Sequence, residues 1–143
     1  MYAPASDDLL YAAKGQGAFA NGAPLTVSSI ADLAQATLLH GSLNLWLHNG
    51  YWEGFMRLVR ATSRQRGFGD DFAHTFVCRG QAEVMLESDV KPWDLAPLKI
   101  LVEEAGGRFS DLTGAATIYS GNAVVSNGRV HDAVVELLGT KAT

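Results

Sequence analysis

The chain has little of what several classes of protein require. Its single cysteine, Cys78, excludes an internal disulfide and a cysteine-rich zinc site, so we expect a reducing compartment, with the cytoplasm as the default. Its longest apolar stretches are far shorter than the roughly 20 residues of a membrane-spanning helix. The start, "MYAPASDD", has neither the basic nor the apolar region of a signal peptide. A net charge of -4 without any lysine- or arginine-rich run argues against a nucleic-acid or anionic-membrane partner.

Familiar catalytic signatures are also absent from the sequence. It contains no Ser-His-Asp order, zinc-ligand spacing, P-loop or dinucleotide fingerprint. The glycines of "GQGAFANG" are typical of hairpin turns rather than of a phosphate cradle, because no helix follows them at once.

What is present indicates a globular α/β protein. With 143 residues, of which 48% are hydrophobic and 18% charged, the chain can bury one core. From residue 28 to residue 143, strand-like and helix-like segments alternate, which predicts an α/β domain with a mixed or mostly parallel sheet. Residues 1–27 are instead typical of antiparallel strands, too few to be stable alone. Because the chain starts almost directly in a strand, we expect a shortened protein or a segment of a longer one.

The stretch "KPWDLAPLKILVEEAGG" predicts a helix from about Pro92 to Ala105, with Asp94 in its first turn. Asp94 either caps this helix or binds a metal ion, and the local pattern leaves both interpretations open. Glu103 and Glu104 follow nine and ten residues later, about 14 Å along a helix, so they cannot share an ion with Asp94. We interpret these two glutamates as a solvated helix end, and Trp93 as a packing residue.

Two further acidic positions are candidates for a binding site. In "RGFGDDFAH", Asp70 either caps the next helix or, together with Asp71, binds a cationic group. That helix is predicted to point Phe72, Phe76 and Val77 inward, and His74 is interpreted as a packed or solvated histidine. Glu87 ends the predicted strand "AEVML", where it either faces solvent or lines a crevice beside a helix N-terminus.

Three stretches together resemble a known family. In order, "LLYAAKGQGAFANGAPLTVS", "RGFGDDFAHTFVCRGQAEVMLE" and "KPWDLAPLKILVEEAGGRFSDLTG" are similar to the second half of the inositol monophosphatase superfamily, which comprises magnesium-dependent phosphomonoesterases. The resemblance implies the C-terminal α/β half of a layered sandwich, preceded by an antiparallel hairpin remnant of an N-terminal α+β half. "GDD" and "WDLAPLKILVEEAGG" look more like the histidinol-phosphatase branch, and hence histidine biosynthesis, than like the inositol-type members.

Carried over position by position, the resemblance implies roles for five residues. Asp94 matches the aspartate that binds Mg²⁺ in the Trp-Asp motif. Glu87 matches an acid that touches the alcohol portion of the substrate, and Gly69, Asp70 and Asp71 match a loop beside the same portion. An acidic loop there would suit the ammonium group of histidinol phosphate.

The resemblance also implies an incomplete site. The family's upstream glutamate motif and its Asp-Pro-x-Asp-Gly-Thr motif, which supply most metal ligands, do not occur in this sequence. We therefore expect the chain alone to be a poor or inactive phosphatase of small phosphorylated alcohols. Open alternatives are an inositol-1-monophosphatase-like enzyme and a non-catalytic truncated α/β module. Exposed strand edges in residues 2–27 predict a homo-oligomer or pairing with a missing N-terminal half.

Overall fold

A computed structural model describes residues 1–139, apart from the side chain of Asp71. The strands are β1 (Tyr2–Ala3), β2 (Asp8–Ala13), β3 (Gly17–Ala20), β4 (Ala23–Pro24), β5 (Thr37–His40), β6 (Arg64–Gly67), β7 (Val84–Ser88), β8 (Arg108–Ser110) and β9 (Asn122–Ser126). The helices are α1 (Leu43–His48), α2 (Trp52–Ala61), α3 (Asp70–Cys78), α4 (Pro92–Glu104) and α5 (His131–Leu138). A 3-10 turn spans Leu33–Gln35.

The first four strands form an antiparallel sheet in the order β1-β2-β3-β4, as the turn residues predicted. Asn21 and Gly22 connect β3 to β4 with φ angles of 48° and 84°. A two-residue turn with both angles positive suits the twist of a hairpin, and asparagine followed by glycine is the pair that adopts it most readily. The expected antiparallel element is thus confirmed. A domain boundary at residue 27 stays a prediction.

The second sheet has five strands in the order β6-β5-β7-β9-β8. β5 pairs in parallel with β6 and β7, whereas β9 pairs antiparallel with β7 and β8. This confirms the expectation of a mixed sheet. The central position of β7, between β5 and β9, explains why all five of its residues are buried.

Two hydrophobic clusters cover the two faces of this sheet. Neighbouring residues on one strand join opposite clusters: Leu39 and Met85 pack with α3 and α4, and Leu38 and Leu86 with α1, α2 and α5. The alternation follows from the two-residue period of a strand, and both faces are apolar because helices cover both. Helix α4 also contacts β2 and β3, so the antiparallel sheet forms a further layer, as expected for a layered α/β sandwich.

Some local expectations are wrong, and the reason is tertiary packing in each case. Phe72 is 59% exposed rather than inward, because Ala73 and Val77 occupy the buried side of α3. Trp93 is 73% exposed and is therefore not a packing residue. Glu104 is not merely solvated.

The Glu104 carboxylate accepts hydrogen bonds of 2.8 Å from the backbone N–H groups of Gly15 and Gly17. These bonds lower the pKa of Glu104 and fasten the β2–β3 turn to the end of α4. Within residues 1–139, no helix is both long and apolar enough to cross a bilayer.

Candidate functional site

An acidic cleft of about 290 Å³ lies where β7 ends between the N-termini of α3 and α4. Its lining combines four carboxyl groups with a histidine and three apolar side chains: Asp70, His74, Glu87, Asp89, Val90, Asp94, Leu95 and Leu98. A crevice at the carboxyl end of a strand, beside helix N-termini, is the usual place for ligands in α/β folds. The cleft brings together three residues that are predicted site members, namely Asp70, Glu87 and Asp94.

Asp94 lines this cleft and also caps its helix. It occupies the third position of α4, and its Oδ2 accepts a hydrogen bond of 2.9 Å from the backbone N–H of Lys91. Pro92 favours this geometry, because its ring presets the helical φ angle and it has no N–H to satisfy. The capping interpretation is confirmed. The hydrogen bond engages one oxygen of a half-buried carboxylate and leaves Oδ1 for a ligand in the cleft.

Glu87 is buried rather than facing solvent, so that interpretation of it is wrong. It is 6% exposed, and its Oε1 has no hydrogen-bond partner among the residues described. Burial raises the pKa of Glu87 to about 7, and the Asp70 carboxylate acts in the same direction. Backbone N–H groups of Asp70 and Ser88 oppose this shift only in part. A carboxyl group with an unpartnered buried oxygen at a cleft is poised to bind a donor or a cation.

Two glycines make room for the Glu87 carboxylate. A Cβ atom on Gly41 would lie 2.5 Å from Oε2, and one on Gly69 would lie 3.0 Å from Oε1. The backbone after β5 and the backbone before α3 therefore both approach this one side chain. Gly69 was predicted as a site residue from the sequence. Gly41 was missed, since nothing local indicates that it meets residues 69 and 87.

Asp70 is not the N-cap of α3. The cap residue is Gly69, whose backbone is extended, and Asp70 is the first helical residue with a φ angle of 61°. Aspartate tolerates this left-handed conformation better than most residues. The exposed side chain of Asp70 lines the acidic cleft, whereas the side chain of Asp71 lies outside the described part of the chain.

Of two other residues that line the cleft, the role of His74 was predicted from the sequence and that of Asp89 was not. His74 is 1% exposed, and burial lowers its pKa to about 3, so it is a neutral packed histidine, as predicted. Asp89 was missed as a site residue. It is an exposed residue of the β7–α4 loop with a φ angle of 62°, and only the fold turns this loop toward the cleft.

The charge of the cleft determines what it can bind. In the part of the chain that the structure describes, no lysine or arginine lines it. A phosphate dianion beside these carboxylates would be repelled unless a cation lay between them. The same residues 1–139 contain no group of three or more His, Cys, Asp or Glu side chains arranged to hold a metal ion.

Comparison with known proteins gives the family. A model of the inositol monophosphatase family matches residues 1–141. The chain belongs to the inositol monophosphatase family. This membership confirms the resemblance of the three motifs and agrees with the acidic cleft, since the family's name denotes phosphatases.

Relatives within the inositol monophosphatase family include histidinol-phosphatases. The chain is 42% identical to the histidinol-phosphatase of Mycobacterium tuberculosis over 141 residues, and 38% identical to that of Streptomyces coelicolor over 143 residues. These alignments cover 95% and 96% of this chain but 54% and 52% of the relatives. The chain thus spans about half the length of the curated relatives it matches.

Solved structures of the inositol monophosphatase family confirm the layered α/β fold. The extragenic suppressor protein suhB from Bartonella henselae superimposes with a TM-score of 0.88 at 27% identity, over 97% of this chain and 55% of that structure. The inositol monophosphatase from Anabaena superimposes with a TM-score of 0.86 at 28% identity, over 96% of this chain and 56% of that structure.

Proposed function

We propose that this chain provides the substrate side and one metal ligand of a Mg²⁺-dependent phosphomonoesterase that hydrolyses histidinol phosphate. The observation that carries the proposal is the convergence of Asp70, Glu87 and Asp94 on one cleft, whose lining among the described residues contains no lysine or arginine. When bound, Mg²⁺ would act as a Lewis acid and lower the pKa of a water molecule. The chain's own contribution is one carboxylate oxygen of Asp94 for the cation and a set of acidic contacts for the alcohol.

The acidic contacts favour an amino alcohol over a neutral polyol. Asp70 and the buried Glu87 line the same cleft, and the missing side chains of Gly41 and Gly69 leave room beside the Glu87 carboxylate. An ammonium group placed there would form charge-assisted hydrogen bonds, which are about twice as strong as neutral ones. The ammonium group would also donate a hydrogen bond to the unpartnered Oε1 of Glu87 and would neutralise the charge of this buried carboxylate.

The active unit needs oxygen donors beyond those described. Mg²⁺ prefers six oxygen ligands, and residues 1–139 present no cluster that could supply them. We therefore propose that a polypeptide region equivalent to the other half of the relatives completes the site, on this chain or on a second one. We also propose histidine biosynthesis as the setting, because the relatives are named histidinol-phosphatases. The cytoplasm is proposed on separate grounds, namely the single cysteine and the absence of a signal-peptide pattern in the sequence.

Substitution of Asp94 tests the metal role. In a unit that releases phosphate from histidinol phosphate with Mg²⁺, Asp94→Asn should lower the rate by about 100-fold or more, because it removes a charged metal ligand. Asp132→Asn is the matched control, since Asp132 is an exposed residue of α5 that pairs with Arg108. Equal rates for Asp94→Asn and the control would refute the metal role.

Substitution of Asp70 tests the substrate. Asp70→Asn should raise KM for histidinol phosphate by about tenfold, the value of one charge-assisted contact, and should leave KM for inositol 1-phosphate nearly unchanged. Equal effects on the two esters would remove the argument for an amino alcohol. The second candidate, an inositol-1-monophosphatase-like activity, is favoured by the 34% identity to a fructose-1,6-bisphosphatase/inositol-1-monophosphatase from Thermotoga maritima. Phosphate release from neither ester would leave the non-catalytic module as the remaining interpretation.

A further inference from the structure

The loop between β8 and β9, residues 111–121, is organised around one buried carboxylate. Asp111 is 5% exposed, and its side chain accepts four hydrogen bonds. Three reach Oδ1, from Thr113 N–H at 2.9 Å, Thr113 Oγ1 at 2.7 Å and Ala115 N–H at 2.9 Å. The fourth reaches Oδ2, from Ser120 Oγ at 2.7 Å. Because a buried carboxylate needs such donors, Asp111 connects the beginning of the loop to its end.

The end of the β8–β9 loop is bonded to the β7–α4 loop, residues 89–91, at the candidate site. The C=O of Gly121 accepts a hydrogen bond of 3.1 Å from the N–H of Val90. Val90 lines the acidic cleft and lies just before α4, the helix that carries Asp94. Since Gly121 directly follows Ser120, a path of bonds leads from the Asp111 carboxylate to the start of α4.

The backbone of the β7–α4 loop needs support from outside. Asp89 has a φ angle of 62°, which costs free energy for a residue other than glycine and persists where the surroundings hold it. Both neighbours of Asp89 are held: Val90 donates to Gly121, and Ser88 Oγ accepts a hydrogen bond of 2.7 Å from Asn49 Nδ2. These residues adjoin a second cleft, of about 310 Å³, which shares Asp89 with the acidic cleft. The place of the Asp89 carboxylate therefore depends on segments that lie beside the acidic cleft.

We propose that Asp111 and Ser120 are positioning residues of the candidate site, because they hold the loop that carries Asp89. Neither is among the described residues that line the acidic cleft, so they act through the backbone rather than by contact with a ligand. Loss of the Ser120 bond frees the end of the β8–β9 loop, and the N–H of Val90 is then exposed to water more often. The inference rests on the proposed function only for its effect on Mg²⁺, since the loop is held without any ligand.

Native-state hydrogen exchange of the whole chain, measured by NMR without metal or substrate, tests how the loop is held. Ser120→Ala removes the bond to Oδ2 and keeps the other three, so the Val90 N–H should exchange about tenfold faster. Ser120→Thr keeps the hydroxyl and should restore the original rate. The N–H of Val134, bonded within α5, should exchange at one rate in all variants. Ser63→Ala is the matched control, because the Ser63 hydroxyl also donates one hydrogen bond, of 3.0 Å, but lines neither cleft among the described residues.

The dependence of the rate on Mg²⁺ tests what the loop does for the site. In a unit that releases phosphate from histidinol phosphate, Ser120→Ala should raise the Mg²⁺ concentration for half-maximal rate by about threefold or more. The rate at saturating Mg²⁺ should stay within about twofold of the original. A site that is correctly arranged only part of the time binds its cation with proportionally lower apparent affinity, and saturating cation restores the arrangement.

Four results separate this inference from its alternatives. It fails if Ser120→Ala speeds exchange at Val90 and Val134 by the same factor, since the loss would then be one of global stability. It also fails if exchange at Val90 changes while the Mg²⁺ dependence of the unit does not. Faster exchange at Val90 in a protein that releases no phosphate would support this inference and contradict the proposed function. Phosphate release together with unchanged exchange at Val90 in Ser120→Ala would do the reverse.

Discussion

Replacing Glu87 by glutamine should stabilise the protein at alkaline pH but not at acidic pH. Burial raises the pKa of Glu87 from its ordinary 4.5 to about 7 in the folded protein. The unfolded chain therefore loses the Glu87 proton at lower pH than the folded chain does. Folding stability from this group is fully present below pH 4.5 and is lost as the pH rises through about 7.

The size of this change in the free energy of unfolding follows from the pKa shift of Glu87. Since each tenfold change in proton affinity corresponds to about 1.4 kcal/mol, ionised Glu87 lowers the free energy of unfolding by up to about 3 kcal/mol at pH 8. Glu87→Gln has the same shape, and its neutral amide avoids the desolvation of a buried charge. At pH 8 the free energy of unfolding of the variant should be higher than that of the original protein by up to about 3 kcal/mol. At pH 4.5 the two values should be equal.

Urea unfolding followed by tryptophan fluorescence at pH 4.5, 6 and 8 would measure this difference, in buffer with a chelator so that no divalent cation neutralises the cleft. Trp46 is fully buried and would report the transition. Glu136→Gln is the matched control, because Glu136 lies on the exposed side of α5 and loses little hydration on folding. A stability difference for Glu87→Gln that stays constant from pH 4.5 to pH 8 would refute the reasoning.

Other substitutions test the packing around the site and in the core. Gly41→Ala should lower the free energy of unfolding by about 1–3 kcal/mol, because the added Cβ would overlap Glu87 Oε2, and combining it with Glu87→Ala should recover most of the loss. His131 is fully buried between two serine hydroxyls, and its pKa is lowered to about 4, chiefly by burial. Urea unfolding measured from pH 7 to pH 4 should therefore show that the protein loses stability below pH 6.5. The His131→Gln variant should not show this loss. In thermal unfolding, Leu101→Ala should cost about 2–5 kcal/mol, whereas Leu47→Ala, at a residue 57% exposed, should cost far less.

Much of the local structure was predictable because it depends on neighbours in the sequence. The proline at position 92 begins α4, Asp94 caps it, and the asparagine–glycine pair at 21–22 turns the hairpin. These features follow from backbone preferences that act within a few residues. The family resemblance extended the prediction to the layered fold and to three of the eight residues that line the cleft, namely Asp70, Glu87 and Asp94. It did not indicate Gly41 or Asp89, which lie on loops that only the assembled sheet brings together.

The sequence by itself determined where α4 begins, where the β3–β4 hairpin turns, and which family the chain resembles. Only the tertiary structure decided that Glu87 is buried, that Gly41 and Gly69 close around it, and that Phe72 faces outward. The physical reason is that burial and close approach depend on segments far apart in the chain. A strand is buried on both faces only if it is central in its sheet and covered by helices. A helix face is buried or exposed according to whether another element packs against it.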